Sequence, residues 1–246
     1  MGPTRLVCRG CGTEVPAETP FAWACPAAAP GDDIDHVLRR VLDPAVVETE
    51  GTEAEPSSNP FVRYRRRFHS YHVARAAGWS DERYVAVVEE LDASVAEVDG
   101  SGFRTTPVVR SPALATELDL TGNVWVKDET GNVSGSHKAR HLMGVMLSLR
   151  VAESMGAADP ETPLAIASCG NAALAAAVVA RAAERRLLVF VPPSAEPAVI
   201  ERLRALGAEL EVCERQPGEA GDPTVARLME AIAKGAVPFT VQGNLN

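Results

Sequence analysis

Two loops of this sequence carry the residue types that imine chemistry with a carbonyl compound would need. In the first loop, residues 127–140, Lys138 lies in the first turn of a predicted helix. The positive end of a helix dipole disfavours an ammonium group, so it favours the neutral amine that attacks a carbonyl carbon. A solvated lysine at a frayed helix start is the alternative, and this loop alone leaves both interpretations open.

The second loop, residues 168–173, follows an apolar strand and opens a helix, where backbone N–H groups form an anion site. Ser168 adds a hydroxyl, and Asn171 adds an amide that both donates and accepts hydrogen bonds. An ordinary helix cap by Asn171 is the alternative. Cys169 is interpreted as a small buried filler, because the sequence places no histidine to activate it.

The chain has five cysteines, an odd number that does not suggest a disulfide framework. Cys8-x-x-Cys11 followed by Cys25 predicts a zinc ribbon, since two close thiolates on a tight turn can share a tetrahedral metal ion. A second CxxC motif would place the fourth ligand at position 28, which is alanine. A ribbon that has lost its metal and persists as a packed knuckle is the alternative. The fourth ligand is left open among three nearby residues, Asp32, Asp33 and His36.

The elements that must position these loops alternate between strand and helix after Gly102. Continuous apolar strands separated by helices indicate a parallel sheet covered on both faces, so we predict a three-layer α/β fold with a mostly parallel sheet. Ligand sites in such folds lie past the carboxyl ends of the strands. Strands are predicted at residues 123–127, 164–167, 187–191, 209–212 and 238–241, and helices at 136–155, 171–185, 197–206 and 223–234.

The residues before this region divide into shorter segments with different compositions. Ser80 is the expected cap of a helix, and His69 and His72 share one helix face, where packed or solvated histidines are commoner than metal ligands. We predict a zinc-ribbon-like segment at 1–42, a linker at 43–60, a helical segment at 61–100 and the α/β region at 101–246.

The composition excludes several classes of protein. Hydrophobic residues make up 46% and charged residues 23%, which is typical of a globular chain. The formal net charge of −9 argues against a dedicated nucleic-acid binder. No apolar run is long enough for a membrane span, and the N-terminus lacks the apolar core of a signal peptide. We therefore expect a cytoplasmic protein that binds neither nucleic acid nor membrane.

The spacing of the two loops resembles a known enzyme superfamily. Gly-Ser-His-Lys at 135–138 after a strand, with Ser-Cys-Gly-Asn at 168–171 thirty residues after Lys138, is similar to the fold-type-II pyridoxal-phosphate enzymes of the tryptophan synthase beta superfamily. Residues 102–107, with Thr106-Pro107, resemble the segment that precedes the lysine strand there. The cysteine-rich start resembles the threonine synthase branch most, whereas the His137-Lys138 pair is similar to tryptophan synthase beta chains.

The resemblance implies a role for each residue that matches the motifs. Lys138 would form the Schiff base with pyridoxal 5'-phosphate, and Asn171 would hydrogen-bond the phenolic oxygen of the cofactor. His137 would pack beside the cofactor ring. Ser168 and the backbone at Cys169 and Gly170 would receive the substrate carboxylate.

The implied function is a pyridoxal-phosphate-dependent lyase that eliminates or replaces a group at the β or γ carbon of a small amino acid. The expected activity is either threonine synthase-like or serine/threonine dehydratase-like, and a homodimer is a further expectation. The resemblance also implies a glycine-rich phosphate loop, yet no run of glycines lies between Gly170 and Asn246. We therefore expect the α/β region to be incomplete at the C-terminus. The alternative is a truncated non-catalytic remnant that serves as a binding or regulatory module.

Overall fold

The computed structural model describes residues 3–16, 19–29, 31–43, 45 and 57–242, and most of the predicted linker at 43–60 lies outside these ranges. The described chain begins with an antiparallel ribbon of strands β1 (Thr4–Cys8) and β2 (Leu38–Leu42), in which Thr4 pairs with Leu42 and Cys8 with Leu38. The segment between the two strands returns to the Cys8 end of the ribbon.

A helical region follows the ribbon. It contains α1 (Pro60–Arg63), a 3-10 turn (Arg65–Arg67), α2 (His69–Ala76) and α3 (Asp81–Asp99). The Ser80 hydroxyl accepts the backbone N–H of Arg83 at 3.1 Å, which confirms the predicted cap of α3. The helix ends at Gly100, whose φ of 84° is the left-handed conformation common after a helix.

A second antiparallel pair lies between the helical region and the main sheet. Strand β3 (Val108–Arg110) pairs with β4 (Trp125–Lys127), and α4 (Pro112–Glu117) connects them. The prediction that residues 123–127 belong to the parallel sheet is wrong. Strands of a parallel sheet are covered on both faces, whereas every residue of β3 and β4 is exposed. Trp125, for example, is 61% exposed to solvent.

Among the residues that the structure describes, the main sheet contains four parallel strands, in the order β7-β6-β5-β8. Its register pairs Leu164 with Leu187 and Val189 with Leu210. The observed sheet confirms the predicted α/β fold with a mostly parallel sheet. The strands are β5 (Leu164–Ala167), β6 (Leu187–Val191), β7 (Glu209–Val212) and β8 (Val237–Pro238).

Helices cover both faces of this sheet. Leu164 and Ile166 of β5 point into a large core shared with α3, α5 and α6, whereas Ala165 of the same strand packs with Leu228 of α8. Successive side chains of this strand therefore pack into two different apolar layers. The flanking helices are α5 (Lys138–Ser154), which follows a 3-10 turn (Val133–Gly135), α6 (Asn171–Ala182), α7 (Pro197–Ala205) and α8 (Pro223–Ala233).

The predicted boundaries differ from the observed ones mainly at helix ends. The helix predicted at 136–155 begins at Lys138, because Ser136 and the turn before it are not helical. The helix predicted at 171–185 ends at Ala182, and Glu184 has a left-handed φ of 56°. The strand predicted at 238–241 is the short β8 instead. Across the described ranges, no helix is both long and apolar enough to cross a bilayer.

Candidate active site

The two loops selected from the sequence each end at the first residue of a long helix. Lys138 is the first residue of α5, and Asn171 is the first residue of α6. Residues 168–170 join the carboxyl end of β5 to α6, which is the position where open α/β sheets bind ligands.

The packing of α5 against α6 brings these helix starts to the same end of the pair. The Arg150 guanidinium of α5 donates a 2.7 Å hydrogen bond to the carbonyl of Ala183, just past α6. Lys138 precedes Arg150 by twelve residues, and Asn171 precedes Ala183 by twelve. At a rise of about 1.5 Å per residue, both starts lie about 18 Å from this hydrogen bond. The 3-10 turn before Lys138 also contacts α6.

Lys138 differs from the other lysines of the chain in its surroundings. The chain contains three lysines. Lys127 donates to the carbonyl of Thr106 at 2.6 Å and lies 3.5 Å from Glu129. The half-buried Lys138 forms no hydrogen bond or ion pair through its Nζ with any residue that the structure describes. Its amine is therefore available to a ligand. The third lysine is the exposed Lys234.

The turn that precedes Lys138 holds a strained residue and two unpaired polar atoms. Ser134 has a φ of 55°, a left-handed conformation that is costly for a side chain with Cβ. Its backbone N–H donates to Asp99 at 2.7 Å, but its buried hydroxyl has no partner in the described chain. Asn132 donates to the carbonyl of Ser136 at 2.6 Å, while its Oδ1 is also unpaired. Unpaired buried polar atoms are rare, and a bound ligand, a water molecule or a functional role are explanations for them.

A polar network centred on Glu129 fixes this loop to the start of α5. Glu129 accepts hydrogen bonds from Thr106 and, at 2.9 Å, from Arg140, which also donates to the carbonyl of Arg104 at 3.0 Å. Burial would raise the pKa of Glu129, but the hydrogen bonds from Arg140 and Thr106 outweigh it and lower that pKa. Sequence reasoning missed Glu129 and gave Arg140 no role. The only signal for these two residues in the sequence was that both lie close to Lys138 along the chain.

The second loop leaves the start of α6 without a side-chain cap. Gly170 occupies the cap position and supplies no side chain, so Asn171 is not the ordinary helix cap that the sequence left open. The exposed Asn171 amide and the half-buried Ser168 hydroxyl have no hydrogen-bond partner among the described residues. Uncapped N–H groups at a helix start bind anions.

Two further site predictions concern Cys169 and His137. Cys169 is exposed, which contradicts its interpretation as a buried filler, because the loop turns it away from both apolar layers. His137 is exposed directly before α5, and its ring forms no hydrogen bond within the described ranges. Both residues are therefore accessible beside the helix starts.

The predicted metal residues converge at the Cys8 end of the N-terminal ribbon. The ligand atoms of Cys8, Cys11, Cys25 and His36 all lie within 4.8 Å of one another. Of the three candidates for the fourth position, His36 joins the cysteines. Asp32 instead contacts the far nitrogen of His36, with 2.7 Å between Oδ2 and Nε2.

The ionisation of this cysteine cluster follows from its hydrogen bonds. The side chain and backbone of Thr13 lower the pKa of the Cys11 thiol to about 6. The Asp32 carboxylate raises the pKa of His36 to about 9. Burial raises the pKa of the Cys25 thiol.

The histidine pair of α2 lies outside this cluster. His69 Nδ1 contacts the Thr4 hydroxyl at 2.8 Å, and His72 Nε2 contacts the carbonyl of Arg66 at 2.6 Å. These contacts are those of packed histidines, and burial lowers the pKa of His69.

Comparisons with known proteins match the part of the chain that contains both loops. The family described as "Pyridoxal-phosphate dependent enzyme" matches residues 101–244. Cysteine synthase B of Salmonella typhimurium is 29% identical over 130 residues, which are 53% of this chain and 41% of that protein. Cysteine synthase B of Escherichia coli is 28% identical with the same coverage. The crystal structure of O-ureido-L-serine synthase is 26% identical at a TM-score of 0.45, covering 59% of this chain and 42% of that one.

These matches differ in how much of each protein they cover. The chain spans about two fifths of the length of the curated relatives that it matches. The family match covers more than half of this chain and includes Lys138, Asn171 and the main sheet. The chain therefore belongs to the family of pyridoxal-phosphate-dependent enzymes.

Proposed function

We propose that this chain binds pyridoxal 5'-phosphate through Lys138 and acts on a small amino acid at its β or γ carbon. The observation that carries this proposal is the amine of Lys138, which has no partner in the described chain and lies at the same end of the helix pair as the uncapped start of α6. A lysine that bonds to a carbonyl must keep its amine free of ion pairs.

The residues around Lys138 fit the chemistry of this cofactor. Pyridoxal phosphate supplies an aldehyde and, when bound, a ring that withdraws electrons from the substrate carbon. The cofactor and its substrate also present oxygens that need hydrogen-bond donors. Ser134, Ser168 and Asn171 offer unpaired polar groups near the two helix starts, and the α6 start offers N–H groups. The donor set therefore suits an aldehyde-bearing anion.

Each of these residues has a proposed role. Lys138 would hold the cofactor until the amine of the substrate displaces it, and its freed Nζ would then take a proton from the α carbon of the substrate. Asn171 would donate to the phenolic oxygen of the ring, and His137 would pack beside it. The Ser168 hydroxyl binds the substrate carboxylate. The backbone N–H groups of Cys169 and Gly170 bind it as well.

The class of reaction within this chemistry is part of the proposal. The cysteine-rich start supports a threonine synthase-like or serine/threonine dehydratase-like lyase. The names of the curated relatives support synthesis of cysteine by replacement at the β carbon instead. Three assays separate these activities: release of a keto acid from serine or threonine, release of phosphate from phosphohomoserine, and consumption of sulfide with O-acetylserine.

A cytoplasmic homodimer that binds neither nucleic acid nor membrane also belongs to the proposal. The strands β3 and β4 support an association surface, because they expose four large apolar side chains that a partner would cover. These side chains are Val108, Val109, Trp125 and Val126. The molar mass in solution tests the homodimer.

Titration with pyridoxal phosphate tests the proposed function. We expect an absorbance band of lysine-bound cofactor in the wild type, loss of that band in Lys138→Ala, and retention of it in the control Lys234→Ala. Thermal unfolding of each variant excludes misfolding as the cause. A band that survives in Lys138→Ala would contradict the proposal. Absence of any band from the folded wild type would favour a non-catalytic binding or regulatory module.

A further inference from the structure

The N-terminal cysteine cluster has the donor set of a tetrahedral metal site. A Zn²⁺ ion with Zn–S bonds of about 2.3 Å has S···S edges of about 3.8 Å and S···N edges of about 3.6 Å. The Cys11 and Cys25 sulfurs are 3.7 Å apart, and Cys8 Sγ lies 3.4 Å from His36 Nδ1. Both distances match those edges, and the remaining pairs stay within 4.8 Å.

The fold of the ribbon explains why these four residues meet. Cys8 ends β1 and pairs with Leu38 at the start of β2, so His36 lies two residues before the partner of Cys8. The turn after Cys8 is closed by a 3.0 Å hydrogen bond from the N–H of Gly12 to the carbonyl of Cys8. Gly10 permits the approach of the two segments, since a Cβ there would overlap the carbonyl of Asp35.

The groups behind the ligands orient them as metal sites require. Nε2 of His36 faces Oδ2 of Asp32 at 2.7 Å, which leaves Nδ1 directed toward the cysteines. Metal-ligating histidines commonly donate their second nitrogen to a carboxylate in this way. The backbone N–H of Ala27 also donates to the Cys25 sulfur at 3.4 Å, a contact that stabilises a thiolate.

We propose that Cys8, Cys11, Cys25 and His36 bind one structural Zn²⁺ ion, with Asp32 as the positioning residue for His36. Four protein ligands complete a tetrahedral shell and leave no open position for a substrate. Cys8 and Cys25 are only 1% and 4% exposed, whereas Cys11 lies at the surface. The cysteines suit zinc better than a disulfide. Three converging thiols cannot all be paired, and the histidine would have no role in a disulfide.

Metal stoichiometry tests this site in the intact protein. Native mass spectrometry of protein produced in zinc-supplemented medium should give one zinc per chain. Cys11→Ser should lose it, and the control Cys169→Ser should keep it, because Cys169 is exposed and outside the cluster. Substitution with Co²⁺ should give the thiolate charge-transfer and ligand-field bands of a tetrahedral site.

Asp32→Asn separates metal binding from folding, because it keeps all four ligands. It should weaken zinc affinity by about 10- to 100-fold in competition with a chromophoric chelator. A disulfide between any two cluster cysteines, an iron–sulfur cluster, or one zinc per chain retained in folded Cys11→Ser would overturn the proposal. A zinc affinity unchanged by Asp32→Asn would overturn the role of Asp32.

Discussion

The cysteine cluster and the two helix-start loops differ in whether their polar groups have partners. In the cluster, Cys8, Cys11, Cys25 and His36 face one another, and surrounding groups such as Asp32 hold them. In the loops, the Lys138 amine, the Asn171 amide and the Ser134 hydroxyl lack partners within the described structure. A closed donor set suits an ion that stays, whereas an open set suits molecules that enter, react and leave.

Both regions nevertheless depend on support from residues behind them. Asp32 orients His36, and Glu129 ties Arg140 of α5 to Thr106. The two regions differ in whether the supported side chains contact other residues or stay available to a ligand. Asp32 directs His36 into the cluster, while the Glu129 network engages Lys127 and leaves Lys138 available.

Removal of zinc should produce the largest effect and should confine it to one region. Structural zinc supplies the folding free energy of small ribbons directly, so we expect the amides of β1 and β2 to lose hydrogen-exchange protection on chelation. The amides of α5 and α6 should remain protected by their apolar core. Equal protection of the ribbon with and without chelator would contradict the distinction between the two regions.

Glu129→Gln should lower the free energy of unfolding by about 1.5–3 kcal/mol, since it removes the charge that Arg140 binds. The pKa of Glu129 is lowered on folding from its ordinary value of 4.5. This interaction therefore stabilises the fold above about pH 4.5 and is lost as pH falls through the lower folded pKa.

Denaturant unfolding of the wild type and Glu129→Gln across pH measures this contribution. The difference between the two proteins should be constant near neutral pH and vanish in acid. A matched control is Glu209→Gln, which removes an exposed ion pair with Arg186 and should cost little. A difference that persists in acid would mean that the lost charge is not the cause.

Asn171→Ala should weaken cofactor binding by about 1.5–3 kcal/mol without lowering stability. The amide caps no helix and has no partner in the described chain, so its removal leaves no fold contact unmade. Absorbance titration and thermal unfolding measure the two effects. Loss of stability with unchanged cofactor affinity would give Asn171 a structural role instead.

Ser134→Gly should stabilise the cofactor-free protein by about 1 kcal/mol, because it relieves a left-handed backbone and removes an unpaired hydroxyl. The matched control is Glu184→Gly, which relieves a similar φ of 56° at an exposed position after α6. Only Ser134→Gly should weaken cofactor binding. Equal effects of the two variants on affinity would show that strain at Ser134 is unrelated to the site.

The sequence predicted the elements whose pattern is local. Strands β5, β6 and β7 have the predicted boundaries, because continuous or alternating apolar residues end at clear turn signals. Lys138 and Asn171 were found because each opens a helix after a loop of small and polar residues.

Features that depend on contacts between distant residues could not be predicted in this way. His36 lies in the cluster because of the register in which β1 pairs with β2. The spacing of residues along the sequence does not reveal that register. The Glu129 network joins residues up to 36 positions apart. Strand β4 has an apolar sequence, yet its exposure and antiparallel partner follow from the chain around it.

Borohydride reduction followed by peptide mapping tests the central claim most directly. The reagent fixes the cofactor to the lysine that holds it, and the chain offers only Lys127, Lys138 and Lys234. We predict that the label lies on Lys138, whose amine alone combines a half-buried position with the absence of a described partner. Label on Lys127 or Lys234, or none on protein incubated with pyridoxal phosphate, would contradict the account.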